Sequence, residues 1–344
     1  MNPMMSSIIL SSLALGTMIT MSSYHWLLAW LGLELNTLAI IPIIAKQHHP
    51  RATEAATKYF LIQAAASATI LFSSTINAWH TGTWDILQLT NQPACIMLTL
   101  ALSMKLGLAP LHFWLPEVLQ GSTMKTALII STWQKLAPMT LLFLTHPSLH
   151  PTTLLSMGVL SILVGGWGGL NQTQTRKIMA YSSIAHIGWM AAILTLAPNI
   201  LILNLMIYLT MTISTFMVLI LTSSKTIKDL TTSWAISPML AALMLMLLMS
   251  LGGLPPLSGF MPKWLILQEL TFYSLTMTAT VMALFTLLSL FFYLRLSYTT
   301  ALTLSPNTTQ NKMKWRLQPN LKTAILTSTL TLSTMMLPIM PLLT

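Results

Sequence analysis

Long apolar runs separated by short polar stretches fill almost the whole of this 344-residue chain. Only 6% of its residues are charged, whereas a soluble domain carries about a quarter of its residues as Asp, Glu, Lys and Arg. An α-helix needs about 20 apolar residues to cross the roughly 30 Å hydrocarbon core of a bilayer. The sequence therefore predicts an all-α, polytopic transmembrane helical bundle with about eleven spans.

The distribution of basic residues predicts how the spans are oriented. If the chain alternates sides, one set of loops holds Lys and Arg, and the other holds Asp85 and Glu269 with no Lys or Arg. The positive-inside rule then places the N-terminus on the basic side. The predicted spans are 3–21, 24–45, 52–78, 93–116, 123–145, 151–170, 177–196, 199–221, 236–267, 275–298 and 321–342. The basic loops hold Lys46, Arg51, Lys125, Arg176, Lys177, Lys225, Lys228, Lys312, Lys314 and Arg316.

The residue content argues against nucleic acid and against a bound cofactor. The net charge of +10 is strung out between apolar runs, whereas binding to phosphate backbones needs basic residues on one face. Cys95 is the single cysteine, and one thiolate cannot hold a structural zinc ion or an iron–sulfur cluster. The glycine-rich run 165–169 does not have the GxGxxG spacing of a dinucleotide site, so we expect it to serve close helix packing. We predict no bound cofactor and no metal.

The strongest internal signal is a duplicated segment. Residues 107–116 (GLAPLHFWLP) and 253–262 (GLPPLSGFMP) are identical at five of ten positions at a constant offset of 146. Gly and Pro inside an apolar span remove hydrogen bonds that hydrocarbon cannot replace, so we predict two broken helices. They fall in the fourth and ninth spans, which an alternating chain crosses in opposite directions. The pattern predicts inverted five-helix repeats at 1–145 and 146–300, then a loop and one C-terminal span in 301–344. Simple packing kinks are the alternative.

Four ionisable residues do not lie at the ends of the predicted spans. Glu34 is midway along the second span, Lys105 precedes the first break, Lys135 is central in the fifth span, and Lys263 follows the second break. A charge at the bilayer centre costs about 2.5–3.5 kcal/mol on insertion scales unless it is paired or hydrated. The pattern favours a proton relay, because a buried lysine can load and release a proton. A buried Glu34–Lys105 pair that only fixes helix packing is the alternative.

Two histidines are further candidates for such a relay. His112 lies inside the first break, and His186 lies in the middle of the seventh span. A neutral imidazole can pass a proton on, but a single buried histidine is as often a packing residue. Both readings stay open for both residues.

Four segments of the chain resemble a known family. They are HWLLAWLGLELN at 25–36, WQKLAP at 133–138, RKIMAYSSIAH at 176–186 and GLPPLSGFMPK at 253–263. With these segments the chain is similar to the antiporter-like membrane subunits of respiratory complex I, the NADH:ubiquinone oxidoreductase, in their animal (vertebrate) form. The resemblance extends over essentially the whole chain. One departure is the length, because related bacterial subunits carry about fourteen spans, and the spans missing here are N-terminal.

The resemblance implies a role for each of the four charged residues. Glu34 corresponds to the membrane glutamate of the family and Lys105 to its partner lysine on the first broken helix. Lys135 corresponds to the central lysine of the relay, and Lys263 to the terminal residue that exchanges protons with the positive side. The implied activity is proton translocation coupled to quinone reduction elsewhere in the complex.

The resemblance also implies surroundings for the chain. Other subunits would handle NADH, flavin, iron–sulfur clusters and ubiquinone, and the partners would be other membrane-arm subunits, accessory subunits and anionic lipids. The location would be the mitochondrial inner membrane, with the N-terminus on the matrix side and the C-terminus on the intermembrane-space side. A freestanding cation/proton antiporter and a structural scaffold subunit are the two rival functions.

Overall fold

The computed structural model describes residues 3–302 and 324–339. Within these residues the regular structure is helical, apart from two isolated bridges that pair His25 with Asp85 and Gln174 with Thr226. The prediction of an all-α chain is confirmed. The helices are α1 (Pro3–Ser22), α2 (Trp26–Ile44), α3 (Pro50–Thr81), α4 (Gln92–Leu106), α5 (Trp114–Gly121), α6 (Met124–Ser131), α7 (Leu136–Thr145), α8 (Pro151–Gly169), α9 (Thr175–Ile193), α10 (Pro198–Leu221), α11 (Ile227–Thr231), α12 (Ser233–Ile236), α13 (Pro238–Gly252), α14 (Phe260–Phe272), α15 (Thr276–Leu302) and α16 (Ala324–Met335).

Seven helical segments in the described part of the chain are long and apolar enough to cross a membrane. They are Pro3–Ser22, Trp26–Gln47, Pro50–Thr81, Met124–Ser148, Pro151–Gly169, Pro198–Leu221 and Thr276–Ala301. Two shorter apolar helices, α4 and α13, add to these. The chain is therefore a membrane-embedded helical protein, while the count of about eleven spans stays a prediction. The last predicted span, 321–342, lies partly outside the described residues, and the basic loop with Lys312, Lys314 and Arg316 lies wholly outside them.

Both predicted breaks interrupt their helices in the same way. Helix α4 ends before Gly107 (φ 78°) and α13 ends before Gly253 (φ 75°), a left-handed conformation that glycine adopts without steric cost. The amide of Leu108 donates to the carbonyl of Ser103 at 3.0 Å, and the amide of Leu254 donates to that of Met249 at 3.3 Å. These are the bonds of a Schellman C-cap. The cis bonds Ala109–Pro110 and Pro255–Pro256 follow at the same offset, so the duplicated sequence gives a duplicated backbone.

The chain divides into two compact units. The first comprises Met1–Val164 and Ser183–Pro198, and the second comprises Gly165–Ser182 and Asn199–Thr344. The first unit contains the break after α4, and the second contains the break after α13. The predicted boundaries of the two repeats, 1–145 and 146–300, stay a prediction.

Small residues allow close helix packing in the first unit. A Cβ added at Gly16 of α1 would lie 2.9 Å from the carbonyl oxygen of Gly32 in α2, and one at Gly158 of α8 would lie 2.9 Å from that of Gly188 in α9. Larger residues would push these helices apart. Because lipid tails are as apolar as Leu, van der Waals packing of this kind holds helices together in a membrane. The Gly16–Gly32 contact fixes α2, which carries Glu34.

The glycine-rich end of α8 packs in the same manner in the second unit. An added Cβ would lie 2.8 Å from Leu288 at Gly166 and 2.8 Å from the ring of Phe292 at Gly169, and one at Gly168 would overlap the ring of Tyr181. The expectation that this run serves helix packing is confirmed.

Candidate functional site

Lys105 occupies the last turn of α4, immediately before the first break. Its side chain is 6% exposed, and its Nζ is buried without a hydrogen bond to any described residue. The carboxylate of Glu34 interacts with it electrostatically, without a direct ion pair between the two described side chains. A buried ammonium group with no partner is costly. Hydration of Lys105 or loss of its proton would relieve this cost. A structural lysine in a direct ion pair would need neither.

Glu34 lies in the middle of α2, and its charge acts on Lys105. Its side chain is half-buried, and the hydroxyl of Thr37 donates to its Oε2 at 3.1 Å and to its carbonyl oxygen at 2.9 Å. One neutral donor is a weak partner for a carboxylate. Glu34 therefore acts on Lys105 electrostatically and not through a direct hydrogen bond.

Lys135 stands at an interruption of the fifth predicted span. Helix α6 ends at Ser131, residues Trp133–Lys135 form a single 3₁₀ turn, and α7 begins at Leu136. Pro138 explains this, because its ring lacks an N–H and conflicts with the carbonyl four residues earlier, that of Gln134. The turn directs Lys135 inwards, where it is 5% exposed, while Trp133 is 40% exposed.

Lys105 and Lys135 line one small polar cavity in the first unit. The cavity leaves about 10 Å³ for the centre of a water molecule, which is room for roughly one water. None of the described residues that line it carries a carboxylate. The lining consists of Leu33, Asn36, Thr37, Tyr59, Gln63, Lys105, Leu106, Trp114, Ile130, Gln134, Lys135 and Pro138.

Neutral polar side chains connect the walls of this cavity. Gln134 donates from Nε2 to Oδ1 of Asn36 at 2.9 Å and accepts from the hydroxyl of Tyr59 at 3.5 Å. Gln63 is 3% exposed, and its Nε2 has no hydrogen-bond partner among the described residues. Gln63 and Lys105 line the same cavity, and each carries a donor without a hydrogen bond to a described residue, so an acceptor such as water would satisfy them.

Lys263 takes a different position at the second break. It lies in the first turn of α14, and its Nζ donates to the carbonyl oxygen of Gly252 at 2.8 Å. A Cβ added at Gly253 would lie 2.7 Å from this Nζ, so the absence of a side chain there makes room for the ammonium group. The positive charge sits where α13 presents unpaired carbonyls and the negative end of its dipole.

The two histidines do not join the cavity. His112 is 5% exposed, its Nδ1 is 3.2 Å from the carbonyl oxygen of Pro110, and its ring centroid is 4.2 Å from that of Phe113. His186 is 6% exposed on α9. Of the six predicted site residues, Lys105 and Lys135 share the cavity and Glu34 acts on Lys105. His112 and His186 lie elsewhere in the first unit, and Lys263 belongs to the second.

Comparison with known proteins identifies the family of this chain. The model of the family described as NADH:quinone oxidoreductase/Mrp antiporter matches residues 23–291, and that of the NADH dehydrogenase subunit 2 C-terminus matches residues 290–344. The chain is 60% identical over 342 residues to NADH-ubiquinone oxidoreductase chain 2 of Varanus timorensis, and 58% identical over 342 residues to that of Xenopus laevis. Each alignment covers 99% of both proteins. This chain belongs to the chain 2 family of NADH-ubiquinone oxidoreductase.

Solved structures agree with the assignment to the chain 2 family. A structure of respiratory complex I from Thermus thermophilus with bound aureothin contains a chain that matches 98% of this one, over 80% of its own length, with a TM-score of 0.84 and 27% identity. The Mrp complex from Dietzia sp. shares the fold, with a TM-score of 0.80 at 16% identity over 97% of this chain and 75% of its own. The predicted resemblance to antiporter-like complex I subunits is confirmed.

The sequence analysis did not predict that four uncharged polar residues line the cavity with Lys105 and Lys135. Asn36, Tyr59, Gln63 and Gln134 are polar residues inside apolar helices, and Asn36 and Gln134 even belong to the segments that carry the family resemblance. Their rarity in such helices was the available signal, since buried polar groups in a membrane need partners. Which partners they find depends on contacts between residues up to 98 positions apart.

Proposed function

We propose that this chain is a proton-translocating membrane-arm subunit of NADH:ubiquinone oxidoreductase, and that Glu34, Lys105, Lys135 and Lys263 carry the protons. Two observations support this: Lys105 and Lys135 line one cavity, and Lys105 Nζ has no hydrogen bond to a described residue. Redox chemistry, with NADH, flavin, iron–sulfur clusters and ubiquinone, takes place in other subunits. This chain converts a signal from them into movement of charge.

Electrostatics provides the coupling in the first unit. Lys105 and Lys135 line one small cavity, and like charges that are close together disfavour each other, so in this proposal a proton on Lys135 disfavours a proton on Lys105. A charged Glu34 favours the proton on Lys105. A change of charge at Glu34 therefore redistributes protons between the two lysines, and a water in the cavity gives them a path.

In the second unit, Lys263 is the residue that takes part in the proposed relay. Lys263 exchanges protons with the positive side of the membrane, and the two breaks belong to inverted repeats of opposite direction. The chain lies in the mitochondrial inner membrane with its N-terminus in the matrix and its C-terminus in the intermembrane space. Its basic loops contact anionic lipid headgroups, and its other neighbours are membrane-arm and accessory subunits.

The cavity disfavours both rival functions. A freestanding cation/proton antiporter would need oxygen ligands of negative charge for its metal cation, whereas the described lining contains two lysines and no carboxylate. A scaffold whose charges only fix packing would pair Glu34 and Lys105 in direct contact, whereas Lys105 Nζ has no hydrogen bond to a described residue. The relay accounts for both observations.

The test is proton pumping per NADH oxidised in sealed membranes that carry Lys135→Met, with the amount of assembled complex measured in parallel. We expect a lower proton-to-electron ratio, or coupled turnover at about a tenth or less of the normal rate per assembled complex. Lys125→Met is the matched control, because Lys125 is exposed at the start of α6, and it should leave both quantities unchanged. Normal pumping by assembled Lys135→Met complex would remove Lys135 from the relay.

A further inference from the structure

The backbone around Lys135 is weakly restrained by its own helix. Between Ser131 and Leu136 the α-helical hydrogen bonds give way to a 3₁₀ turn, in which the amide of Lys135 reaches the carbonyl of Thr132 at a long 3.3 Å. Pro138 offers no amide to the carbonyl of Gln134. Contact with neighbouring helices must therefore help to define where this turn lies.

The side chain of Gln134 supplies that contact. It donates to Asn36 of α2 at 2.9 Å and accepts from Tyr59 of α3 at 3.5 Å. Both partners are almost completely buried, Asn36 at 2% and Tyr59 at 1% exposure. A buried amide pair of this kind leaves an unsatisfied polar group if either member is removed, which is unfavourable in a buried setting. The turn is thus fastened to two neighbouring helices by its middle residue.

The same bond joins two parts of the relay. Asn36 is two residues from Glu34 on α2, and the next residue, Thr37, donates to the carboxylate of Glu34. Gln134 directly precedes Lys135. One hydrogen bond therefore links the α2 turn that carries Glu34 to the 3₁₀ turn that carries Lys135, and both of its members line the cavity.

We propose that Gln134 is a positioning residue that acts through its hydrogen bond to Asn36. This bond holds Lys135 in the lining of the cavity that it shares with Lys105, at a fixed position relative to the turn of α2 that carries Glu34. This rests on the proposed proton relay and adds an uncharged pair to it. When the bond is lost, the turn is free to shift, and the distance between the two lysines is no longer fixed. Proton transfer depends steeply on such distances.

The experiment compares four forms of the assembled complex, or of a tractable relative with the same residues. Gln134→Met removes the bond, and Gln134→Asn withdraws the amide by one methylene. The double variant Asn36→Gln with Gln134→Asn exchanges the two lengths and lets the amides meet again. We expect coupled pumping per assembled complex to fall about tenfold or more in Gln134→Met, less in Gln134→Asn, and to recover in the exchanged pair.

Asn77→Leu is the matched control, because Asn77 is a fully buried amide of α3 that donates to the carbonyl of Gln88 at 2.8 Å away from the cavity. It should reduce the amount of complex but leave protons per NADH unchanged. Normal pumping by Gln134→Met complex, or no recovery in the exchanged pair, would overturn the positioning role. Lys135→Met separates the two proposals: if it abolishes pumping while Gln134→Met does not, the relay stands and only the positioning role is wrong.

Discussion

The two helix breaks have the same backbone and place their lysines in opposite ways. At the first break the indole of Trp114 donates to the carbonyl of Met104 at 3.0 Å, and Lys105 Nζ is left without a hydrogen bond to the described residues. At the second break Lys263 itself donates to the carbonyl of Gly252 at 2.8 Å. A neutral group thus caps one helix end, and a titratable ammonium group caps the other. The two breaks share one backbone conformation, and the side chains around each break determine where the positive charge lies.

Residues that are 146 positions apart occupy corresponding places at the two breaks, and they differ in charge. Lys263 corresponds to Glu117, and Lys105 corresponds to Leu251. Glu117 is half-exposed and accepts from Lys58 at 2.6 Å, whereas Lys263 is directed to a helix end. The two breaks therefore share a backbone conformation but differ in the charged residues that they carry.

The largest effect on this comparison is expected from Lys263→Met. Gly252 loses its ammonium donor, so the thermal stability of the complex should fall, by about 1–3 kcal/mol for an unsatisfied carbonyl. Coupled NADH oxidation should fall about tenfold or more. Steady-state turnover and thermal unfolding of the purified complex measure both. Lys228→Met, at an exposed lysine of the short helix α11, is the control. Equal behaviour of the two variants would mean that the bond from Lys263 to Gly252 contributes to neither stability nor turnover.

Gly253→Ala should have the next largest effect, and a larger one than Gly107→Ala. Both glycines have a φ near +75°, which costs another residue about 1–2 kcal/mol. The new Cβ would meet Lys263 Nζ at 2.7 Å in one case and the flexible Leu115 Cδ1 at 3.0 Å in the other. Thermal stability should fall in both variants, and pumping should fall further in Gly253→Ala. Equal loss of pumping would contradict the claim that Lys263 needs the space over Gly253.

A smaller effect is expected from Trp114→Phe at the first break. The ring is retained, but the carbonyl of Met104 loses the indole donor, which costs about 1–3 kcal/mol in the buried setting. Thermal unfolding of the complex measures it. Trp79→Phe, at a tryptophan that is 90% exposed, should leave stability unchanged. If Trp114→Phe changed thermal stability as little as Trp79→Phe does, the bond from the indole to Met104 would not be needed at the first break.

The smallest effect is expected from Glu117→Gln. Lys58 keeps Glu54 as a second partner at 2.5 Å, and all three side chains are exposed. Surface ion pairs contribute little to stability, so stability and pumping should both stay normal, in contrast to the corresponding Lys263. Assays of turnover and unfolding decide this, and a tenfold loss of pumping would mean that both breaks carry a functional charge after the proline.

Sequence reasoning predicted the parts of this fold that depend on local chemistry. The apolar spans, the breaks at Gly107 and Gly253 and the packing role of the glycine-rich end of α8 all follow from residues close together in the chain. The interruption before Lys135 was also within reach, since Pro138 conflicts with the carbonyl of Gln134, but the span was predicted as continuous from 123 to 145.

The site was less accessible, because its geometry depends on distant residues. Glu34 and Lys105 were expected to act together, and the structure shows electrostatic interaction without a direct ion pair, a difference of side-chain position that no sequence pattern encodes. The bond between Asn36 and Gln134 joins residues 98 positions apart. That Lys263 reaches back to Gly252 depends on the fold of the six residues between α13 and Gly259.

The most direct test of the account measures stability and pumping on one preparation of complex that carries Lys105→Met. Met has a similar shape and no charge, so removing an unpaired buried ammonium group should leave thermal stability unchanged or raised, while the protons moved per NADH, or the coupled turnover, fall about tenfold or more. Such a result would separate the charge of Lys105 from the packing of the protein. Loss of stability with normal pumping per assembled complex would contradict the relay and make Lys105 a structural residue.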